Sequence, residues 1–120
     1  MYNHMVVGML ADLDVDLLFH ALADATRRDI ITRTMTRDYS VSALARSYTM
    51  SFAAVQKHVA VLERAGLVTK HPRGREHLVR GSPDTIRTAS GLLEELEELW
   101  RDRIDRMGEI LAEPESGEDE

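Results

Sequence analysis

The stretch Ser51-Phe52-Ala53-Ala54-Val55-Gln56-Lys57-His58-Val59-Ala60-Val61-Leu62-Glu63-Arg64-Ala65-Gly66 decides the fold. Ser51 is a good N-cap for a helix from Phe52 to Ala65, and Gly66 is the matching stop. Val55, Val59 and Leu62 stand at i, i+4 and i+7, which makes one apolar stripe. The opposite face carries Ala53, Ala54, Gln56, Lys57 and Ala60. It is small and polar, with almost no acid. A helix that enters a major groove needs little bulk, donors that reach base edges and few charges that repel phosphate. Gln56 suits adenine N6 and N7, and Lys57 suits a guanine edge or a phosphate.

Upstream, a short helix is expected to start at Ser42 as its cap, with Leu44, Ala45 and Tyr48 on its inner face. Thr49-Met50-Ser51 is then the turn between two helices. Downstream, Leu67–Lys70 and His77–Arg80 read as strands flanking a turn at Arg73-Gly74. Pro72 is tolerated because a two-stranded ribbon is all edge. Arg73 and Arg75 at its tip can reach phosphates or a narrow minor groove. The expected fold is α+β and mainly helical: a helix-turn-helix followed by a two-stranded wing.

The run from Ser51 to Val68 resembles the helix-turn-helix of the ArsR-type (arsenic-repressor-like) winged-helix transcription regulators. It carries their capped helix, Ala-Val-x-Lys-His, Val-Leu-Glu and Ala-Gly-Leu-Val. Ala21-Leu22-Ala23-Asp24-Ala25-Thr26-Arg27-Arg28 is similar to a second signature of that family, and Arg73-Gly74-Arg75 falls at its wing tip. Ala25 departs from the pattern, standing where the family often has a helix-starting proline. The similarity spans roughly residues 15 to 111.

The resemblance implies a dimeric regulator, a repressor, whose partner is double-stranded operator DNA. It places Ser51, Ala53, Ala54, Gln56, Lys57, His58, Arg73 and Arg75 at the DNA, with His58 as a structural or phosphate-facing residue. One metal site of the family uses cysteines, and Ser40 and Ser42 stand at the matching positions. Neither binds a soft metal as a thiolate. Another site uses Asp and His along the last helix, but no histidine occurs from Asp84 to Leu111. No metal and no cofactor are therefore expected.

A chain of 120 residues is one domain. We divide it into an N-terminal extension (1–14), a winged-helix and dimerisation domain (15–112) and an acidic tail (113–120) expected to be disordered. Met5 and Met9 are alternative starts. Asp12, Asp14 and Asp16 suit the mouth of a helix from Val15 to Ala23. Asp24 caps a helix over 25–36, with Ile30, Ile31 and Met35 inward, and Arg37-Asp38-Tyr39 reads as a loop. Ser82-Pro83 opens a last helix running to about residue 112.

Along that helix Ala89, Leu92, Leu93, Leu96, Leu99, Trp100, Ile104, Met107 and Leu111 recur at steps of three and four. The stripe is too long for one small domain to cover. The expected homodimer interface is Leu17, Leu18, Leu92, Leu96, Leu99, Trp100 and Ile104.

Net charge is −6, which by itself argues against a DNA partner, but its distribution does not. Residues 24–80 hold eleven Lys/Arg against five Asp/Glu, a balance of +6; residues 1–23 carry −3 and residues 81–120 carry −9. The cations sit on the expected reader. With no cysteine there is no disulfide or thiol switch. No apolar run approaches the roughly 18 residues of a membrane helix. The short apolar start lacks the Lys or Arg of a signal peptide, so a cytoplasmic protein is expected. The five histidines are scattered, and no P-loop or dinucleotide motif occurs, so no enzyme is expected. Two alternatives remain: a metal-responsive repressor with an atypical site, and a winged-helix module that binds protein instead of DNA. No effector can be read from these residues.

Overall fold

The computed structural model describes residues 14–112. Met5, Met9, Asp12 and the tail 113–120 lie outside the described residues. In chain order the elements are α1 (Val15–Leu22), α2 (Ala25–Thr36), β1 (Tyr39–Ser40), α3 (Val41–Arg46), α4 (Phe52–Arg64), β2 (Val68–Arg73), β3 (Glu76–Gly81) and α5 (Pro83–Ala112).

Side-chain caps begin the first four helices. Asp14, Asp24, Ser40 and Ser51 each accept from the backbone N–H three residues on, at 3.0 Å. The cap of α3 is therefore Ser40 and not Ser42. Ser40 keeps extended backbone angles because it also ends a strand, and an N-cap needs that conformation. Ser42 is left on the exposed side of the helix.

Gly66 ends α4 with φ +77°. The Leu67 N–H bonds Leu62 O at 2.9 Å and the Gly66 N–H bonds Glu63 O at 3.0 Å. That pair of bonds is a Schellman closure, in which a side chain at Gly66 would be strained. The chain leaves α4 straight into Leu67 and Val68, both buried.

The sheet has three strands in the order β1-β3-β2, all antiparallel. The expected two-stranded wing thus gains a third strand, since Tyr39 pairs with Val79 and Ser40 with Leu78. Two residues are too few to carry a period, which is why Tyr39 reads as loop in the sequence. The wing strands also run further toward the tip than expected, with Arg73 opposite Glu76. Gly74 has φ +62° and Arg75 does not have a positive φ, as in a two-residue hairpin turn with glycine first.

One core joins the layers. Leu18, Ile30, Leu44, Val55, Val59, Leu62, Leu67, Val68 and Val79 are all essentially inaccessible. Each such side chain contributes about 1.5–3 kcal/mol relative to exposure. On α2 the inward position after Ile31 belongs to Thr34, not to Met35, which is 38% exposed. The Thr34 hydroxyl donates to Ile30 O at 2.8 Å, so its polar atom is satisfied inside the helix. Met35 lies over Gly81 at the end of β3 instead.

Helix α5 is anchored at its start. The Ser82 N–H bonds Leu67 O at 3.0 Å, and the Thr85 hydroxyl donates to Gly66 O at 2.6 Å. Ala89 and Leu92 are buried, and beyond Leu92 no residue of α5 is. Among the described residues no helix is long and apolar enough to cross a membrane.

Candidate nucleic-acid interface

Helix α4 turns its Val55-Val59-Leu62 stripe into the core. At 3.6 residues per turn, Lys57 stands roughly opposite that stripe, with Ala53 and Ala60 close by. All three are exposed. Ser51, which caps the helix, is exposed too, while Ala54 is half-buried. Gln56 and His58 fall on opposite flanks of the stripe, each about a quarter-turn or less from it.

The Gln56 flank faces the wing. There an open cleft of about 170 Å³ lies between α4 and the β2–β3 hairpin, lined by Ser42, Phe52, Gln56, Lys70, Arg75, Glu76 and His77 over a floor of Val41 and Val59. Lys70 and His77 were not among the expected contacts. Strand alternation could have found them, because Val68, Lys70 and Pro72 share a face, as do His77 and Val79. Val68 and Val79 are buried, so Lys70 and His77 continue that face outward, past the core and beside the reader helix. Lys70 Nζ lies 3.9 Å from Glu63 Oε1, a loose and exposed pair.

Arg73 and Arg75 are exposed at the wing tip, where sequence placed them. Arg80, counted with the cations of the reader, is engaged elsewhere. Its Nε and one Nη donate to the two oxygens of Asp38 at 3.0 and 2.8 Å. The guanidinium holds the Asp38 carboxyl below its usual range and thereby ties β3 to the turn before β1.

The His58 flank faces the corner between α1 and α2. His58 is half-buried, with Nδ1 3.2 Å from an Arg27 Nη and 4.0 Å from Asp24 Oδ2. Asp24 is held below the usual carboxylate range, mainly by the Arg27 backbone N–H that it caps, with the Arg27 charge adding to this. His58 is thus turned away from the wing.

The expected interface residues divide into two groups. Leu18 is fully buried and Leu92 nearly so, both within one chain, so neither is free to face a partner. Leu18 points into the crossing of α1 with the core, and only its neighbour Leu17 is left at the edge. Leu96, Leu99, Trp100 (57% exposed) and Ile104 do stand exposed along α5, continued by Met107 and Leu111. Phe19 on α1 is exposed as well and was missed; an aromatic next to Leu17 and Leu18 was the available signal. Among the described residues no three His, Asp or Glu side chains gather as metal ligands.

No protein-family model matches the chain. Over 85 residues it is 34% identical to the HTH-type transcriptional regulator Rv2034 of Mycobacterium tuberculosis, a match covering 71% of this chain and 77% of that protein. An ArsR-like transcriptional regulator from Rhodococcus sp. RHA1 superposes with a TM-score of 0.74 at 31% identity, over 86% of this chain and 95% of its own. The crystal structure of an ArsR family transcriptional regulator, RHA00566, gives 0.68 at 31% identity, over 72% and 90%. With a capped helix α4, a basic wing beside it and these relatives, the chain belongs to the ArsR family of winged helix-turn-helix, DNA-binding transcriptional regulators.

Proposed function

We propose that the protein is a homodimeric, cytoplasmic repressor without enzymatic activity, which reads its operator with α4 and needs no metal. The observation that carries this reading is the outer face of α4. Ala53, Lys57 and Ala60 are exposed, two of the three being small alanines, and the cationic wing stands alongside. Lys57 and Gln56 reach bases, while Arg73 and Arg75 grip the backbone next to them. Lys70 and His77 line the path between the two.

The exposed row from Leu96 to Leu111 supports a dimer, since a contiguous apolar patch on a small domain marks an interface. The two-fold axis then presents two reader helices to successive major grooves, with half-sites about one helical turn apart. A repressor acts by occupying that site against polymerase.

The test is selection of genomic fragments by the purified protein, followed by binding measurements on the enriched sequence across a salt series. A recurrent two-fold site near promoters, bound more weakly as salt rises, is the expected result. Enrichment of no sequence, or binding indifferent to salt, overturns the reading and favours a protein partner.

A further inference from the structure

Arg27 uses all three of its guanidinium nitrogens, and on two different elements. Nε donates to Ala21 O at 2.9 Å and one Nη donates to His20 O at 2.9 Å. The other Nη lies 3.2 Å from His58 Nδ1. The first two bonds reach carbonyls in the last turn of α1, where helix carbonyls run short of backbone partners; His20 O also accepts from the Ala23 N–H at 3.2 Å. Arg28 completes the set by donating to Leu22 O at 2.7 Å. Two cations at a helix C-terminus also suit the negative end of its dipole. The third bond reaches across 31 residues to the reader helix.

We infer that Arg27 and His58 form a bracket that sets the rotation of the reader helix about its own axis, so that Arg27 is a positioning residue for DNA recognition although it does not touch DNA. A helix held only by an apolar stripe can roll, because such contacts are non-directional. A hydrogen bond on one flank removes that freedom. His58 is fixed to the α1–α2 corner, and Gln56, two residues earlier, is thereby aimed along the wing cleft. Asp24, which caps α2, lies at the same corner, its Oδ2 4.0 Å from Nδ1. The guanidinium spreads its donors over three nitrogens in a fixed plane, whereas a lysine ammonium in place of Arg27 holds all of its donors on one.

The inference rests on α4 being the DNA reader, so two readouts are needed. The first uses no DNA: hydrogen exchange of the α4 amides in the full-length protein. Arg27→Ala, Arg27→Lys and His58→Phe should speed exchange along residues 52–64, while His58→Gln, which keeps an acceptor, should restore much of the protection. The second is operator affinity against salt for the same variants. Affinity should fall about tenfold, with the slope of log affinity on log salt unchanged because the same phosphates stay neutralised. Arg27→Ala and His58→Phe together should cost no more than either alone.

If Arg27→Ala fails to fold, the comparison of His58→Phe with His58→Gln decides. The bracket is overturned if α4 exchange is unaffected, if the two losses simply add, or if the salt slope drops by about 0.9 for either residue, which would make it a phosphate ligand. A wild-type protein that binds no DNA would count against the reader, and the exchange experiment would still judge the bracket.

Discussion

Tyr48 donates its hydroxyl to Asp29 Oδ2 at 2.5 Å, joining the turn after α3 to the middle of α2. Arg33 Nε reaches the same oxygen at 2.8 Å, and its guanidinium lies 5.6 Å from the centroid of the Tyr48 ring. Burial and then the bond to Asp29 push the Tyr48 phenol up to about 12 from the ordinary 10.0. Asp29 is held below the ordinary 3.8, first by the Tyr48 hydroxyl and then by Arg33. A raised phenol stabilises the fold fully below pH 10 and loses that contribution as pH rises through 10 toward 12. A depressed carboxyl stabilises it above about pH 3.8 and loses that contribution as pH falls below. Absorbance titration of tyrosinate should show a step near 12 that Tyr48→Phe abolishes. A titration unchanged by the substitution would mean that the phenol is not held.

Reader and clamp should separate by mutation. Gln56→Ala should weaken binding to the preferred operator by roughly 1–3 kcal/mol and relax its sequence preference. Arg73→Ala or Arg75→Ala should weaken all sequences more evenly and flatten the salt dependence by about 0.9 for each phosphate no longer neutralised. The cleft extends this second class to Lys70. Competition binding on operator and scrambled duplexes is the measurement. Altered base preference in Arg73→Ala, with Gln56→Ala unaffected, would reverse the two roles.

Association should run through α5. Leu96→Glu puts a carboxylate into the exposed apolar row, at a penalty of several kcal/mol if the charge is buried without a partner. Sedimentation at micromolar concentration should show a wild-type dimer and a variant monomer of unchanged helicity. Leu92→Ala should behave differently, because Leu92 is already covered within one chain. It should lower thermal stability more than association. A monomeric wild type would contradict the dimer.

Operator affinity should not respond to zinc or to a chelator. The residues behind this are Ser40, which spends its hydroxyl on the Ala43 N–H, and an α5 without histidine. A change of tenfold, about 1.4 kcal/mol, together with stoichiometric bound metal would refute it.

Single-residue signals carried the ends of the reader helix, though not the start of α3, where Ser40 caps in place of Ser42. Ser51 and Gly66 bound the reader helix because a cap and a left-handed stop are single-residue chemistry. The long α5 was legible from its repeated apolar steps. What escaped depends on pairing between distant segments. Tyr39 is a strand only because Val79 lies opposite it, and His58 meets Arg27 only because a helix 31 residues upstream packs beside α4. Leu18 and Trp100 look alike in a hydrophobic pattern. Only the packing of α1 separates the core residue from the exposed one.

The bond from Thr85 to Gly66 makes a stiff elbow of the junction between reader and last helix. The thirty residues of α5 span about 45 Å at 1.5 Å per residue. Most of that length lies past Leu92, outside the core, so the helix acts as a lever arm whose short end grips the close of α4. In the proposed dimer, a small tilt between two such levers becomes a change in the angle and separation of the two readers. In that dimer, operator spacing should respond to side chains far along the lever, such as Ile104 and Met107.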